Sequence, residues 1–317
     1  MLGLLAIIGT SWSALASTPI EYFVQGKHHT EIFVRVLVPA PSLSIRGVIV
    51  FEHGMWGNGG QFVRFASELV PLGYVVALPD IRGHGRSEGD RGDVEDFDDL
   101  VSDLRRVVSS VVDRFPGHPL ILGGFSLGGL VTFRLMERDE LPFKVDRVFL
   151  VAPALSLRSV IDPIDRVPPL MFTDPLVYAI SWIPFLRSTE IEAGWLGGPE
   201  NVMDDPVEIR RVANDPLRST AITLRSYTEM ISGMRDAHMK IRHWPQGPDA
   251  VPLLVAQAEH DHLVSQDRVE QLLQRGYDLG KPWTWFTVPG VMHDILHCLQ
   301  RERLMQRIRK FLSDELP

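Results

Sequence analysis

The chain has 317 residues, of which 45% are hydrophobic and 23% charged, and its formal net charge is −8. That profile belongs to a globular protein, with room for one large α/β domain carrying an insertion. The acidic balance and scattered Lys and Arg argue against a nucleic-acid partner, which would need a basic surface. The single cysteine, Cys298, excludes an intrachain disulfide and a cysteine-based metal site.

Residues 1–19 begin with an apolar run, Leu2 to Ile8, and Ala14-Leu15-Ala16 resembles a small-residue cleavage site. A basic n-region is missing, and the run is too short to span a bilayer. An exported or membrane-touching segment over residues 1–16 leads; a packed N-terminus of a cytoplasmic protein is the alternative. Two β-like segments follow, near Glu21–Val24 and Glu31–Val38. GVIVFE (Gly47–Glu52) is a continuous apolar strand that ends at His53-Gly54. Phe62, Phe65, Ala66 and Leu69 then recur at helical spacing.

Tyr74–Leu78 is the next strand, followed by Pro79-Asp80 and the glycine-rich RGHGRSEGDRG. From Val94 to Phe115, apolar residues repeat at three- and four-residue steps with charges between them, which predicts a long amphipathic helix stopped by Pro116-Gly117. A strand over Pro119–Gly123, a helix from Leu127 to about Arg138 and a strand over Val145–Val151 follow. From residue 155 to residue 247 the alternation breaks down around clustered prolines. It resumes with strand Val251–Gln257, a helix near Gln266–Gly276, strand Thr284–Val288 and a basic C-terminal helix reaching Leu312. The basic residues near that helix (Arg301, Arg303, Arg307, Arg309, Lys310) read as a solvated face. Apolar strands alternating with helices predict a mostly parallel sheet covered on both faces. The division is therefore an α/β core, 20–154 and 248–317, interrupted by a mainly helical cap at 155–247.

In open α/β sheets, functional groups collect at the carboxyl ends of strands. Here those ends carry His53, Asp80, Ser126, Asp261 and His293. Gly124-Phe125-Ser126-Leu127-Gly128 is a G-x-S-x-G between a strand and a helix, the setting of a nucleophile elbow. A serine nucleophile needs a base, and a histidine base needs an orienting acid. His293 and Asp261 supply them in the order Ser…Asp…His. Glu259 and Asp267 compete with Asp261, and His297 competes with His293 but reads as a packing residue deeper in the C-terminal helix. The backbone N–H groups of Leu127 and Met55 are the candidate oxyanion donors, with His53 bracing the Met55 loop. His260 and His262 lack the carboxylate or cysteine cluster of a metal site, so neither a metal nor an organic cofactor is expected.

FEHGMWGNGGQF, PDIRGHGRSEGDRG, GGFSLGG, NDPLRS, EHDHLV and PGVMHD occur in this order along the chain. The sequence thereby resembles the monoacylglycerol lipase and lysophospholipase branch of the α/β-hydrolases, from about Ile20 to Leu312. The resemblance implies an α/β-hydrolase fold, a triad of Ser126, Asp261 and His293, and oxyanion donors at Met55 and Leu127. Three positions depart from the pattern: Ala258 stands where glycine is frequent, Asp294 where glutamate is usual, and Met55-Trp56 where small residues are common.

The implied activity is hydrolysis of carboxylic esters of small lipid-like substrates, such as monoacylglycerols or lysophospholipids, through an acyl-serine. Residues 168–186 are expected to line an acyl pocket, with simple packing of the cap onto the core as the alternative; transient contact with a membrane or micelle is a further reading, ranked behind the pocket. The alternatives are an aminopeptidase or amidase, hinted at by Glu190-Ile191-Glu192, and a non-catalytic binding protein, which could dispense with the triad and the elbow glycines.

Overall fold

Apolar runs become the central strands. β3 (Gly47–Glu52), β4 (Tyr74–Pro79), β5 (Leu120–Phe125), β6 (Arg147–Val151) and β9 (Leu253–Ala258) are buried at every position, as strands covered on both faces must be. They are flanked by β1 (Ile20–Gln25) and β2 (Glu31–Leu37) on one side and by β10 (Trp283–Val288) on the other. The sheet order is β1-β2-β4-β3-β5-β6-β9-β10. β2 runs antiparallel to β1 and β4, and the other pairings are parallel. β10 is less covered than the central strands, with Thr284 and Thr287 exposed, as its place at the edge of the sheet allows. The structure, a computed structural model, describes residues 18–158, 188–192 and 197–313. The expected N-terminal segment (1–16) and the apolar stretch 168–186 lie outside the described residues.

Alternate residues of each strand feed two cores. Val48 and Val50 pack with Leu104, Leu130, Met234 and Leu272, whereas Ile49 and Phe51 pack with Phe65, Leu304 and Ile308. The first core lies under α2 (Phe97–Arg114) and α3 (Leu127–Met136), and the second under α1 (Val63–Leu69). α2 begins three residues later than the apolar spacing predicts. Asp96 caps it by accepting from the Asp98 N–H (2.8 Å), while the Val94 N–H donates instead to Ser226 Oγ (2.6 Å).

Between β6 and β9 the described residues form α4 (Pro199–Val202), α5 (Pro206–Ala213) and α6 (Leu224–Met239), with a two-stranded antiparallel sheet of β7 (Glu190–Glu192) and β8 (Ala221–Thr223). The expected helical insertion therefore carries a small sheet as well. α6 lies inside the 155–247 range, yet its Met234 and Ala237 are built into the first core. The chain closes with α7 (Gln266–Asp278) and α8 (Glu302–Ser313). The basic C-terminal residues are not all solvated: Arg301 and Arg309 both pair with Glu68 of α1, fastening α8 to it. Among the described residues, no helix is long and apolar enough to cross a membrane.

Candidate active site

Ser126 sits where β5 turns into α3, at φ 51° and ψ −115°. A serine pays on the order of 1–3 kcal/mol for such a conformation. Each buried Val, Leu or Phe of the flanking elements contributes roughly 1.5–3 kcal/mol, so the packed strand and helix readily hold the bend. The glycines matter because backbones converge here. A Cβ on Gly128 would lie 2.4 Å from the carbonyl oxygen of His53 and 2.5 Å from that of Glu52. The start of α3 can approach the end of β3 only because that side chain is missing.

His293 lies on the loop after β10 and Asp261 on the loop after β9. His293 Nε2 is 3.0 Å from Ser126 Oγ, and its Nδ1 is 2.7 Å from Asp261 Oδ2. Asp261 Oδ1 accepts from the N–H groups of Leu263 and Val264, both at 2.9 Å. Burial works to raise the Asp261 carboxyl, but the facing imidazole and these two amides outweigh it and hold the group below its ordinary pKa. Burial likewise disfavours a charged His293, yet the charge and hydrogen bond of Asp261, with Asp294 adding to them, raise its pKa above the ordinary value.

The competing residues lie elsewhere. Glu259 is half exposed and accepts from the Gly290 N–H, and Asp267 stands in the first turn of α7. His297 is not in the C-terminal helix: it ends the short turn Ile295–His297, before α8. Its two ring nitrogens face Asp294 Oδ2 (2.8 Å) and the Gln61 carbonyl (3.0 Å). With acceptors on both sides it favours the charged form: burial opposes the charge, but Asp294 raises the pKa nonetheless.

Met55 and Leu127 flank the serine from the loop after β3 and the first position of α3, and among the described residues neither N–H has an acceptor. His53 braces the Met55 loop. Its Nε2 accepts from the Ile81 N–H (2.9 Å), so Nδ1 carries the proton and donates to the Gly54 carbonyl (2.7 Å). Burial lowers its pKa to about 4, so the ring is neutral near pH 7. Asp80 accepts from the N–H groups of Gly59 and Arg86, both at 2.7 Å, which ties the loop to the segment after β4.

A model of the family described as serine aminopeptidase, S33, matches residues 44–298. The chain belongs to that family. It is a member of the α/β-hydrolases, in the branch that contains the monoacylglycerol lipases. It is 32% identical over 150 residues to the monoacylglycerol lipase of Mycolicibacterium smegmatis, a stretch covering 47% of this chain and 52% of that protein. The match thus spans only about half the length of that curated relative. Among solved structures, the fold matches the monoacylglycerol lipase of Paleococcus ferrophilus (TM-score 0.70, 23% identity, 89% of this chain and 98% of that one). It also matches a soluble variant of Saccharomyces cerevisiae monoglyceride lipase, solved in complex with a substrate analog (TM-score 0.77, 16% identity, 97% and 98%).

Beside Ser126 lies a cavity whose wall includes Phe62, Phe125, Val202, Met203, Val212 and Leu263, and Trp56, Gln61, Arg218 and Asp294 also line it. Sequence reasoning missed how the segment between β6 and β9, the expected cap, meets this site. Asp215 Oδ2 accepts from Asn58 Nδ2 (2.7 Å) and from Gln61 Nε2 (2.9 Å), so the N-D-P-L motif is seated on the Met55 loop. The only sequence signal for that contact was the motif itself.

Proposed function

We propose that the protein is a serine hydrolase that cleaves carboxylic esters of lipid-like alcohols, with monoacylglycerols and lysophospholipids as the substrate class. The observation that carries this reading is the hydrogen-bonded chain from Ser126 Oγ through His293 to the buried Asp261 carboxylate. It lies at the floor of a largely apolar cavity, beside two N–H groups that have no acceptor among the described residues. The names of the lipase relatives favour a lipid ester.

In this mechanism His293 takes the proton of Ser126 as Oγ attacks the ester carbonyl. Asp261 fixes the imidazole tautomer, with Nδ1 protonated, and stabilises the imidazolium that forms. The N–H groups of Met55 and Leu127 receive the negative charge that develops on the carbonyl oxygen. His293 then returns the proton to the leaving alcohol. Water attacks the acyl-serine with His293 again as base, releasing the acid and restoring Ser126.

Ser126→Ala is expected to lower kcat on p-nitrophenyl butyrate by at least about 10⁴-fold with an unchanged thermal midpoint. Activity near that of the wild type would sink the mechanism. The family's description as aminopeptidases keeps amide hydrolysis as the second reading. Turnover of monooleoylglycerol against an aminoacyl-arylamide decides between them, and faster cleavage of the amide would replace the ester assignment.

A further inference from the structure

Among the described residues, the backbone of the loop from His53 to Gln61 makes two long internal turn bonds, from the Gly57 N–H to the Gly54 carbonyl (3.3 Å) and from the Gln61 N–H to the Asn58 carbonyl (3.2 Å). Much of its restraint comes from far along the chain, and Trp56 is the focus. The Trp56 carbonyl accepts from the Ser219 N–H (3.0 Å), and the indole N–H donates to the Ala221 carbonyl (3.1 Å). Gly197 lies flat against the indole: a Cβ there would fall 1.8 Å from a ring carbon, so no side chain fits. Arg218 donates to the Gly197 carbonyl (3.1 Å), holding that residue in place over the ring.

Trp56 itself has φ 65°, a left-handed conformation that a bulky residue adopts only when its surroundings impose it. It is also the residue next to Met55, and both border the cavity over Ser126. Trp56 stands where the resemblance leads one to expect a small residue, so the clamp is a feature of this chain's own sequence.

We propose that Trp56 is a positioning residue that makes the oxyanion hole depend on the inserted region. The Met55 N–H is aimed at the developing oxyanion while Gly197 and the Ala221 carbonyl are seated on the indole. When that seat is lost, the loop relaxes and the donor turns away. The inference rests on the reading of Met55 as an oxyanion donor for a serine hydrolase.

The test uses the full chain and p-nitrophenyl butyrate, a short ester that makes little use of a long acyl pocket. Removing one oxyanion donor costs about 10²–10³ in kcat. Trp56→Gly, which tolerates the positive φ, is expected to lower kcat by about 10²-fold while KM changes little. Gly197→Ala, acting on the ring from the other side, is expected to lower kcat in the same manner. The double variant should be no slower than Trp56→Gly alone, because both remove one coupled contact. Trp56→Phe keeps a ring against Gly197 but loses the bond to the Ala221 carbonyl, so it should recover part of the rate and lie between Trp56→Gly and the wild type.

Loss confined to KM, unchanged kcat in both single variants, or losses that multiply in the double variant would overturn the inference. Should Trp56→Gly fail to fold, the kcat of Gly197→Ala against Trp56→Phe decides alone. Labelling of Ser126 by a fluorophosphonate probe separates this idea from the reading beneath it. An unlabelled wild-type protein removes the hydrolase assignment. Labelling at equal rates in the wild type and all variants removes only the role of Trp56.

Discussion

Two backbone segments meet at Ser126, and they are held in different ways. The elbow is set by its own neighbourhood: strand β5, helix α3 and glycines that let Gly128 touch the end of β3. The Met55 loop is set by distant chain, most clearly where the Trp56 indole bonds to Ala221, 165 residues onward. A locally determined nucleophile stays in place whenever the sheet is folded. A loop tied to an insertion keeps its geometry only as long as the insertion is seated. On the proposed reading, the serine is the fixed partner and the Met55 oxyanion donor the conditional one.

The largest expected effect tests the fixed side. Asp261→Asn leaves the shape of the site but presents the wrong tautomer to His293, and kcat on p-nitrophenyl butyrate should fall by about 10⁴-fold. A loss below tenfold would mean that another carboxylate orients the imidazole. Next comes the elbow itself. Gly128→Ala places a methyl against the backbone of β3, and a well-packed site charges about 1–3 kcal/mol or more for such overpacking. A lowered denaturation midpoint together with reduced activity is expected. Unchanged stability would show that α3 can move away from the sheet without consequence.

This contrast also explains what the sequence made legible. The central strands were visible because they are buried on both faces and therefore apolar throughout. The elbow was visible because its glycines and serine form a fixed short pattern between an apolar strand and a helix, although only Gly124 is demanded by a local contact and Gly128 by the distant end of β3. Asp261 and His293 could be placed because chain order alone puts them on the loops after β9 and β10, where the structure brings them together. The seat of Trp56, the Asp215 bridge and the contact of His297 with Gln61 left no such trace. Each is a single polar or aromatic contact between distant positions, with no periodicity and no required neighbour type. The late start of α2 belongs with them, since it depends on Ser226 taking the Val94 N–H.

A smaller effect is expected on the conditional side. Asp215→Asn turns an oxygen that accepts from both Asn58 and Gln61 into a group that can accept from neither if its amide nitrogen faces them. Losing hydrogen bonds to a charged acceptor costs about 1.5–3 kcal/mol, part of it in stability and part in loop position. About a tenfold fall in kcat is expected, with the triad intact. The informative comparison is with Asp261→Asn: both remove one charge, but only Asp215→Asn should leave rapid fluorophosphonate labelling recoverable by conditions that favour a seated insertion, such as added sulfate.

The smallest effect concerns pH. In the free enzyme, kcat/KM rises as His293 loses its proton, and that limb should lie above the ordinary imidazole pKa because Asp261, and to a lesser degree Asp294, favour the charged ring against burial. Asp294→Asn removes the lesser of these charges, so the limb should move toward lower pH. The same substitution takes away the partner that raises the His297 pKa, and any loss of positive charge there acts in the opposite direction. Asp294 acts on His293 directly, whereas His297 faces away toward Gln61, so the downward shift should win by a small margin. A pH profile of kcat/KM for both proteins measures it. A limb that moves upward would show that His297, and through it the Met55 loop, is electrostatically closer to the base than the carboxylate between them.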